Sequence, residues 1–500
     1  MQCSVNHLYV QVAGIKEKVM DTGYDTGKKL EANAEAVSAV VQRAAAVVPS
    51  ARQVAWNCME FYGFVHFGLY TFDPLREGKA GPEIFNPEEF DPYQWVRAFK
   101  AAGMKGLLLT CKHHEGFCLW PSEYTDFSVK NSPWKEGKGD IVKEVAEACH
   151  AEGMKFGVYL SPWDMHEKTY GTPDYDVYFK NQLTELCSNY GELFCVWFDG
   201  ACRSKDKLQD YDWDGYYDII RQLQPEACIS ICGPDVRWIG NEAGVSREEE
   251  WSVVPKVIMT TERNPGYWRQ IDKVPNSTWT DIGSREFIQD YDELIWYPAE
   301  VDVSIRPSWG YVDGEAEKLY SLDELIHMYE KAVGGNANLL LNVPPNRNGL
   351  FDEEDVKRLT EMGNEIKRIF SKSQLENASA SDAVGRDAGA VLNKNRKQFY
   401  EADSDELPVI YVHLPEEKEV NLVIVKETIE LGQHIEEFCL EIPADGGWKE
   451  VYRATTIGYQ RFCRFQQIHT QHLRFRVLKT RGKTSLTEIG IYYDDKNRNL

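Results

Sequence analysis

The chain has 500 residues, which is too long for one ordinary domain and long enough for a large barrel with a smaller module. Its 56 basic and 79 acidic residues give a formal net charge of −23, which argues against binding to nucleic acid or to anionic membranes through bulk electrostatics. No stretch approaches the roughly 20 apolar residues that a membrane helix needs.

The first residues and the cysteines bear on the cellular compartment. The N-terminus lacks a basic segment followed by an apolar one, so no signal peptide is visible. The 12 cysteines show no CxxC spacing, which is typical of buried or free thiols in a reducing compartment. We therefore expect a cytoplasmic protein, or a secreted one if a leader has already been removed.

Residues 1–48 are predicted to form an N-terminal helical extension. Apolar residues recur there at roughly helical spacing, with Lys, Glu and Gln between them. The polar side is not enriched in Lys and Arg, so a membrane-surface role is not indicated. We expect this segment to pack on the outside of the main domain.

Residues 49–372 are predicted to alternate between strands and helices. Short apolar runs bounded by polar or turn residues predict these strands: residues 61–66, 105–110, 155–160, 193–198, 228–231, 301–305 and 337–343. Repeated strand–helix units indicate a parallel sheet. A doubly wound open sheet would normally have a Gly-rich phosphate loop after its first strand, and none is present. Polar and aromatic residues instead follow most of the strands, which favours an α/β fold of the (β/α)8-like barrel type with its site on the C-terminal face.

Residues 384–496, which follow a polar linker, are predicted to form a β-sandwich. Six short apolar runs separated by turn residues carry this prediction: residues 409–414, 420–425, 438–442, 462–468, 473–478 and 489–493. This domain either supports the barrel or binds carbohydrate.

An acidic residue ends one of the predicted barrel strands. Residues 193–198 form an apolar run between Gly191 and Gly200, and Asp199 follows that run. Barrel enzymes place catalytic groups at this end of their strands, although most aspartates there begin a turn or cap a helix. Glu242, in a loop beyond the next predicted strand, is the best partner if the chemistry needs two carboxyl groups, as glycoside hydrolysis does. A solvated loop residue is the simpler interpretation of Glu242.

The segment Lys112-His113-His114-Glu115 raises the question of a metal site. The HExxH pattern is absent, and no third ligand is indicated at a set spacing. On a regular strand two adjacent histidines face opposite sides, so at most one would face the barrel axis unless the chain turns there. We therefore predict no metal and no cofactor, and we expect imidazole groups that bind sugar hydroxyls.

Four segments together resemble the α-L-fucosidases of glycoside hydrolase family 29. They occur in the order and spacing of that family between about residue 50 and residue 370: Tyr62–Gly68, Lys112–Trp120, Gly157–Asp164 and Val196–Gly200. A fifth segment, Asp235–Gly244, looks like the subgroup that cleaves α-1,3- and α-1,4-linked fucose from branched, Lewis-type glycans. The predicted sandwich is similar to the C-terminal domain of that subgroup.

The resemblance implies a retaining exo-α-L-fucosidase that acts by double displacement. Asp199 would be the nucleophile and Glu242 the general acid/base. The resemblance also implies these sugar-binding residues: His66, Glu77, His113, His114, Tyr159 and Trp309, the last beside the fucose methyl group. The chain departs from the family pattern after Glu77, where a stacking Trp is missing, and after Trp309, where Gly310-Tyr311-Val312 stands in place of an aromatic residue and a His.

The expected partner is a fucosylated oligosaccharide or glycoconjugate, and the oligomeric state is open. One alternative is a broader α-L-fucosidase that also acts on α-1,2 linkages or aryl fucosides. Another is a catalytically weak fucose-binding lectin, against which the presence of both Asp199 and Glu242 weighs. If Glu242 is not the acid/base, the next carboxylates in the chain are Glu248, Glu249 and Glu250.

Overall fold

The computed structural model describes most of the chain. The described residues are 39–73, 80–201, 207–264, 266, 270–403 and 407–496. Most of the predicted N-terminal extension, residues 1–38, lies outside them, and residues 39–45 are helical. Among the described helices, none is long and apolar enough to cross a lipid bilayer.

The first ten strands of the described chain form a large parallel sheet and a small hairpin. Their bounds are β1 Phe61–Val65, β2 Gly106–Lys112, β3 Lys155–Leu160, β4 Leu193–Trp197, β5 Cys228–Ser230, β6 Arg237–Trp238, β7 Val253–Pro255, β8 Leu294–Trp296, β9 Ala299–Ser304 and β10 Ala337–Asn342. β7 and β8 form the antiparallel hairpin. The other eight strands lie in the order β5-β4-β3-β2-β1-β10-β9-β6. A bridge between Ser230 and Val236 brings β5 beside β6 and nearly closes the sheet, which confirms the predicted (β/α)8-like barrel.

Helices connect most of the barrel strands. Their bounds are Ala51–Asn57, Leu69–Phe72, Pro92–Ala102, Ile141–Ala151, Asp174–Asn189, Trp213–Leu223, Val257–Glu262, Arg285–Ile288, Leu322–Val333 and Glu353–Ser371. The helix Pro92–Ala102 illustrates how local sequence sets these bounds. The Asp91 side chain accepts a hydrogen bond from the Tyr93 N–H at its start, and Gly103 ends it with a left-handed φ of 86°.

The segment after β5 differs from the prediction. The sequence predicts no strand between residues 231 and 301, but Arg237–Trp238 forms β6 and pairs in parallel with β9. The chain turns between β5 and β6 through left-handed backbone at Ile231 and Cys232, with φ of 55° and 54°, and this connection has no helix. Glu242 therefore follows the sixth strand and not the fifth.

The C-terminal residues form one antiparallel sheet of seven strands in the described chain. Their bounds are β11 Ser379–Asp382, β12 Tyr400–Glu401, β13 Val409–Glu427, β14 Ile435–Ala444, β15 Gly447–Ala454, β16 Arg461–Thr480 and β17 Ser485–Tyr492. β13 and β16 each unite two of the predicted strands, with shifts in their register. Ile410 and Val423, from the two halves of β13, lie in the same buried apolar cluster. The sheet therefore folds over itself around one core, as a β-sandwich does.

The C-terminal sheet also packs against the barrel. Leu422, Ile424, Phe462 and Tyr492 belong to the buried apolar cluster of the barrel. The rings of Phe462 and Tyr492 lie 5.2 Å and 5.7 Å from the ring of Phe370, measured between centroids. Their apolar surface is removed from water by this contact, so the sheet extends the core of the barrel.

A polar contact joins the C-terminal domain to the loop that follows β6. Gln433 donates a hydrogen bond to the carbonyl oxygen of Glu250 at 3.2 Å, and Arg461 donates to that of Glu248 at 2.6 Å. Glu242 is part of the same loop. Residues of both domains therefore hold this loop.

Candidate active site

Seven of the eight predicted site residues line one pocket at the carboxyl ends of the barrel strands. They are His66, His113, His114, Tyr159, Asp199, Glu242 and Trp309. The eighth, Glu77, belongs to residues 74–79, which lie outside the described part of the chain. The pocket has a volume of about 1200 Å³, so it has room for more than one sugar ring by comparison with the roughly 300–1,000 Å³ of typical ligand pockets.

Asp199 follows β4 and accepts hydrogen bonds on both carboxylate oxygens. Tyr159 Oη donates to Oδ2 at 2.9 Å, and the N–H of Ala201 donates to Oδ1 at 2.7 Å. His114 Nε2 lies 3.6 Å from Oδ2. Burial acts to raise the pKa of Asp199, but these neighbours outweigh burial and lower the pKa below its usual value. The carboxylate is therefore ionised at neutral pH.

The chain turns directly after β2, and this turn brings two adjacent histidines into the pocket. β2 ends at Lys112, whose buried Nζ donates to Asp164 Oδ2 at 2.8 Å. His113 and His114 follow the strand, and their ring centroids are 4.2 Å apart. The two-sided alternation of a regular strand therefore does not apply to them. Among the described residues, no group of three or more His, Cys, Asp or Glu side chains is arranged to hold a metal ion.

The hydrogen bonds of His114 determine which ring nitrogen carries a proton. Its Nδ1 lies 2.7 Å from Ser161 Oγ, and the Ser161 hydroxyl donates to the carbonyl oxygen of Trp163. Because that hydroxyl proton is already used, His114 Nδ1 must be the donor. His114 Nε2 faces the Asp199 carboxylate.

His66 and Trp309 lie side by side in the wall of the pocket. Their ring centroids are 5.1 Å apart, and His66 is 5 % exposed. Burial, reinforced by the nearby His113, lowers the pKa of His66 to about 3. His66 is therefore neutral at physiological pH.

Glu242 lies at the exposed rim of the pocket. Its Oε2 accepts a hydrogen bond from Trp309 Nε1 at 3.3 Å. Glu250, on the same loop, is buried and forms ion pairs with Arg237 and Arg247. Among the described carboxyl groups between residues 239 and 252, Glu242 is the one that lines the pocket.

Comparison with known proteins identifies the family that shares this fold and pocket. The sequence profile of the α-L-fucosidases matches residues 59–368, the part of the chain that forms the barrel. The chain belongs to the α-L-fucosidase family. Alpha-L-fucosidase 1 of Arabidopsis thaliana is 37% identical to it over 463 residues, which are 89% of this chain and 88% of that relative.

Solved structures show that the chain also shares the fold of family members. A fucosidase of glycoside hydrolase family 29 from Ruminococcus gnavus, solved with fucose, is 30% identical with a TM-score of 0.80, over 90% of this chain and 96% of that one. A family 29 member from an unknown rumen bacterium is 35% identical with a TM-score of 0.75, over 91% and 78% of the two chains. The family predicted from the four sequence segments is thereby confirmed.

In this member of the α-L-fucosidase family, β9 carries two buried carboxyl groups that sequence reasoning does not identify. Asp302, on β9, lines the pocket and accepts a hydrogen bond from Trp238 Nε1 at 2.8 Å. Burial raises its pKa to about 8, and the neighbouring Glu242 adds to the shift. Glu300, on the same face of β9, accepts a hydrogen bond from the indole of Trp197, and burial raises its pKa well above the usual value.

Proposed function

We propose that this protein is a retaining exo-α-L-fucosidase in which Asp199 is the nucleophile and Glu242 is the general acid/base. The Asp199 carboxylate attacks the anomeric carbon of fucose, while Glu242 gives a proton to the departing oxygen. This step forms a covalent fucosyl ester on Asp199. Glu242 then takes a proton from water, the water attacks the ester, and fucose leaves with its anomeric configuration retained.

One observation carries this proposal: two carboxyl groups in different surroundings, those of Asp199 and Glu242, line the same pocket. The nearby His114, the Ala201 N–H and the Tyr159 hydroxyl keep Asp199 ionised, as a nucleophile requires. Glu242 is at the rim, within reach of solvent, and it is held by the indole N–H of Trp309. This position suits a group that protonates a leaving sugar and then accepts a proton from water.

The remaining pocket residues fit fucose in polarity and shape. The three imidazoles and the Tyr159 hydroxyl offer partners for sugar hydroxyls, and the Trp309 ring offers an apolar face for the methyl group. Glu77 remains a proposed ligand on the basis of the sequence. The relative from Ruminococcus gnavus that was solved with fucose supports fucose as the sugar.

For the linkage, we propose α-1,3- and α-1,4-linked fucose on branched, Lewis-type glycans. The resemblance of Asp235–Gly244 to that subgroup supports this choice, and so does a pocket that is large enough for more than one sugar ring. A broader enzyme that also accepts α-1,2 linkages or aryl fucosides is the alternative. Turnover of Lewis-type trisaccharides, an α-1,2-linked trisaccharide and an aryl fucoside, compared side by side, separates the two. Faster turnover of the α-1,2 substrate would reject the proposed linkage.

The nucleophile is tested with Asp199→Asn. A carboxamide cannot form the ester, so we expect loss of nearly all turnover with an unchanged unfolding temperature. Turnover close to that of the unmodified protein would exclude Asp199 as the nucleophile, and loss of the folded state would be detected by the same unfolding measurement.

The acid/base is tested with Glu242→Ala in the presence of azide. Natural glycans should lose turnover because their leaving group needs a proton, whereas an aryl fucoside should still form the intermediate. Azide should then restore turnover and give fucosyl azide of retained configuration. Glu249→Ala, an exposed residue of the same loop that does not line the pocket, is the matched control. Rescue by azide in the control but not in Glu242→Ala would assign the role to Glu249.

A further inference from the structure

A single buried amide contacts both His66 and Trp309 in the wall of the pocket. Asn342 ends β10 and is fully buried. Its Oδ1 lies 2.8 Å from His66 Nδ1 and accepts a hydrogen bond from the His66 backbone N–H at 3.2 Å. Its Nδ2 donates to Ser304 Oγ at 2.9 Å and to the carbonyl oxygen of Trp309 at 2.7 Å.

These partners leave one orientation for the amide. The backbone N–H of His66 can only donate, and the carbonyl oxygen of Trp309 can only accept. The Ser304 hydroxyl donates to the Ser308 carbonyl, so it acts as an acceptor toward Asn342. Asn342 Oδ1 must therefore face His66, and Nδ2 must face Trp309.

The orientation of Asn342 fixes the tautomer of His66. Because Oδ1 is an acceptor, His66 Nδ1 must carry a hydrogen. The ring is neutral, so Nε2 is unprotonated and has a free lone pair. No described residue donates a hydrogen bond to this Nε2, and His66 lines the pocket.

We propose that Asn342 is a positioning residue that sets the polarity of one contact to fucose. By selecting the Nδ1–H tautomer, it makes His66 Nε2 an acceptor, so the sugar hydroxyl that faces His66 must donate. Through the Trp309 backbone, the same amide holds the indole that contacts Glu242. Asn342 thus connects His66, a proposed fucose ligand, with Trp309, which contacts the proposed acid/base Glu242. This inference rests on the proposed function.

The tautomer is tested directly by nitrogen-15 NMR of protein labelled at histidine. The His66 signals are assigned by their absence in His66→Gln. We expect the shifts of a neutral ring protonated at Nδ1, unchanged from about pH 5 to about pH 8, because the pKa lies far below this range. Protonation at Nε2 in the wild-type protein would overturn the inference. This readout needs no substrate, so failure of the proposed fucosidase activity would leave it interpretable.

The positioning role is tested with Asn342→Asp. A carboxylate still accepts from His66 but cannot donate to Trp309, and its charge favours the imidazolium form of His66. We expect imidazolium shifts near neutral pH and a loss of about 10- to 100-fold in kcat/KM, since the hydroxyl loses its acceptor. The loss should appear in KM with an aryl fucoside and in kcat as well with a natural glycan, where proton transfer by Glu242 matters.

Asn338→Asp is the matched control for this variant. Asn338 lies on the same strand, is equally buried and also donates to a backbone carbonyl, that of Trp56, but it does not line the pocket. We expect both variants to lose stability and Asn342→Asp alone to change the His66 signals and the kinetics. Equal kinetic losses in the two variants, with His66 unchanged in both, would reduce Asn342 to a structural residue and refute the proposal.

Discussion

Replacing Tyr159 by phenylalanine should change the acid–base behaviour of Asp199 while preserving the packing around it. The Tyr159 hydroxyl donates to Asp199 Oδ2 at 2.9 Å. Its ring stacks on those of His113 and Trp197, with centroids 5.7 Å and 5.2 Å away. Phenylalanine keeps these stacking contacts and removes the hydrogen bond. Because the hydroxyl stabilises the ionised carboxylate, its loss must raise the pKa of Asp199.

The size of this shift follows from the energy of the lost hydrogen bond. A hydrogen bond to a charged group contributes about 1.5–3 kcal/mol, and one pKa unit corresponds to about 1.36 kcal/mol, so the shift is at most about 1–2 units. Asp199 keeps the Ala201 N–H and the nearby His114, and water can occupy part of the vacated space. We therefore expect an upward shift of about one unit.

The assay is the pH dependence of kcat/KM for an aryl fucoside. The proposed nucleophile must be ionised, so we expect activity to fall as the pH drops through the pKa of Asp199. A raised pKa moves this acid limb to higher pH by the same amount. Tyr175→Phe is the control, because its buried hydroxyl donates to the Pro162 carbonyl at 2.7 Å and does not line the pocket. An acid limb of Tyr159→Phe that coincides with that of the wild type would refute the reasoning.

Two further predictions concern stability. Lys112→Met leaves the buried Asp164 without its cation and should lower the free energy of unfolding by about 3–5 kcal/mol in urea titrations. The double variant Lys112→Met/Asp164→Leu should recover part of that loss, and no recovery would contradict this account. Arg464→Met removes the cation that Glu330 of the barrel and Asp494 of the C-terminal domain share, and it should cost about 3 kcal/mol or more. If heat instead melts the C-terminal domain separately at an unchanged barrel transition, the two domains are not coupled through this group.

The position of Asp199 after a buried strand can be predicted from the sequence because its signal is local. An apolar run followed by a carboxylate and Gly200 indicates both the buried strand and the end at which barrel enzymes place their chemistry. β6, in contrast, has no local sequence signal. Arg237 and Trp238 make a strand of two residues, which is too short for any periodic pattern, so its existence depends on pairing with β9.

The buried carboxyl groups of β9 carry a signal that is weak but readable. Glu300, Asp302 and Ser304 alternate with Val301 and Val303, as expected of a strand with one polar face. Because strands of a parallel barrel are covered on both sides, sequence alone does not say that the polar face points inward. Tertiary structure decides this, by placing indole N–H groups opposite the carboxyl groups.

The long strands of the second sheet were divided in the prediction for a related reason. Pro415 and the four charged residues 416–419 separate two apolar runs, so the pattern indicates two strands. In the structure, β13 continues through them, with a shift in register between His413 and Lys418. Bulges of this kind interrupt the alternation of side chains without ending the strand.

The hydrogen bonds from Gln433 and Arg461 to the loop after β6 mean that both domains support the proposed active site. The described hydrogen-bond partners of Asp199 belong to the barrel, whereas the loop of Glu242 is also held by the C-terminal domain. In the proposed mechanism, sequence changes in the second domain can therefore alter the protonation of the leaving group by Glu242 without changing the residues that contact Asp199. Preference among leaving groups, and so among glycans, can evolve at a distance from the sugar itself.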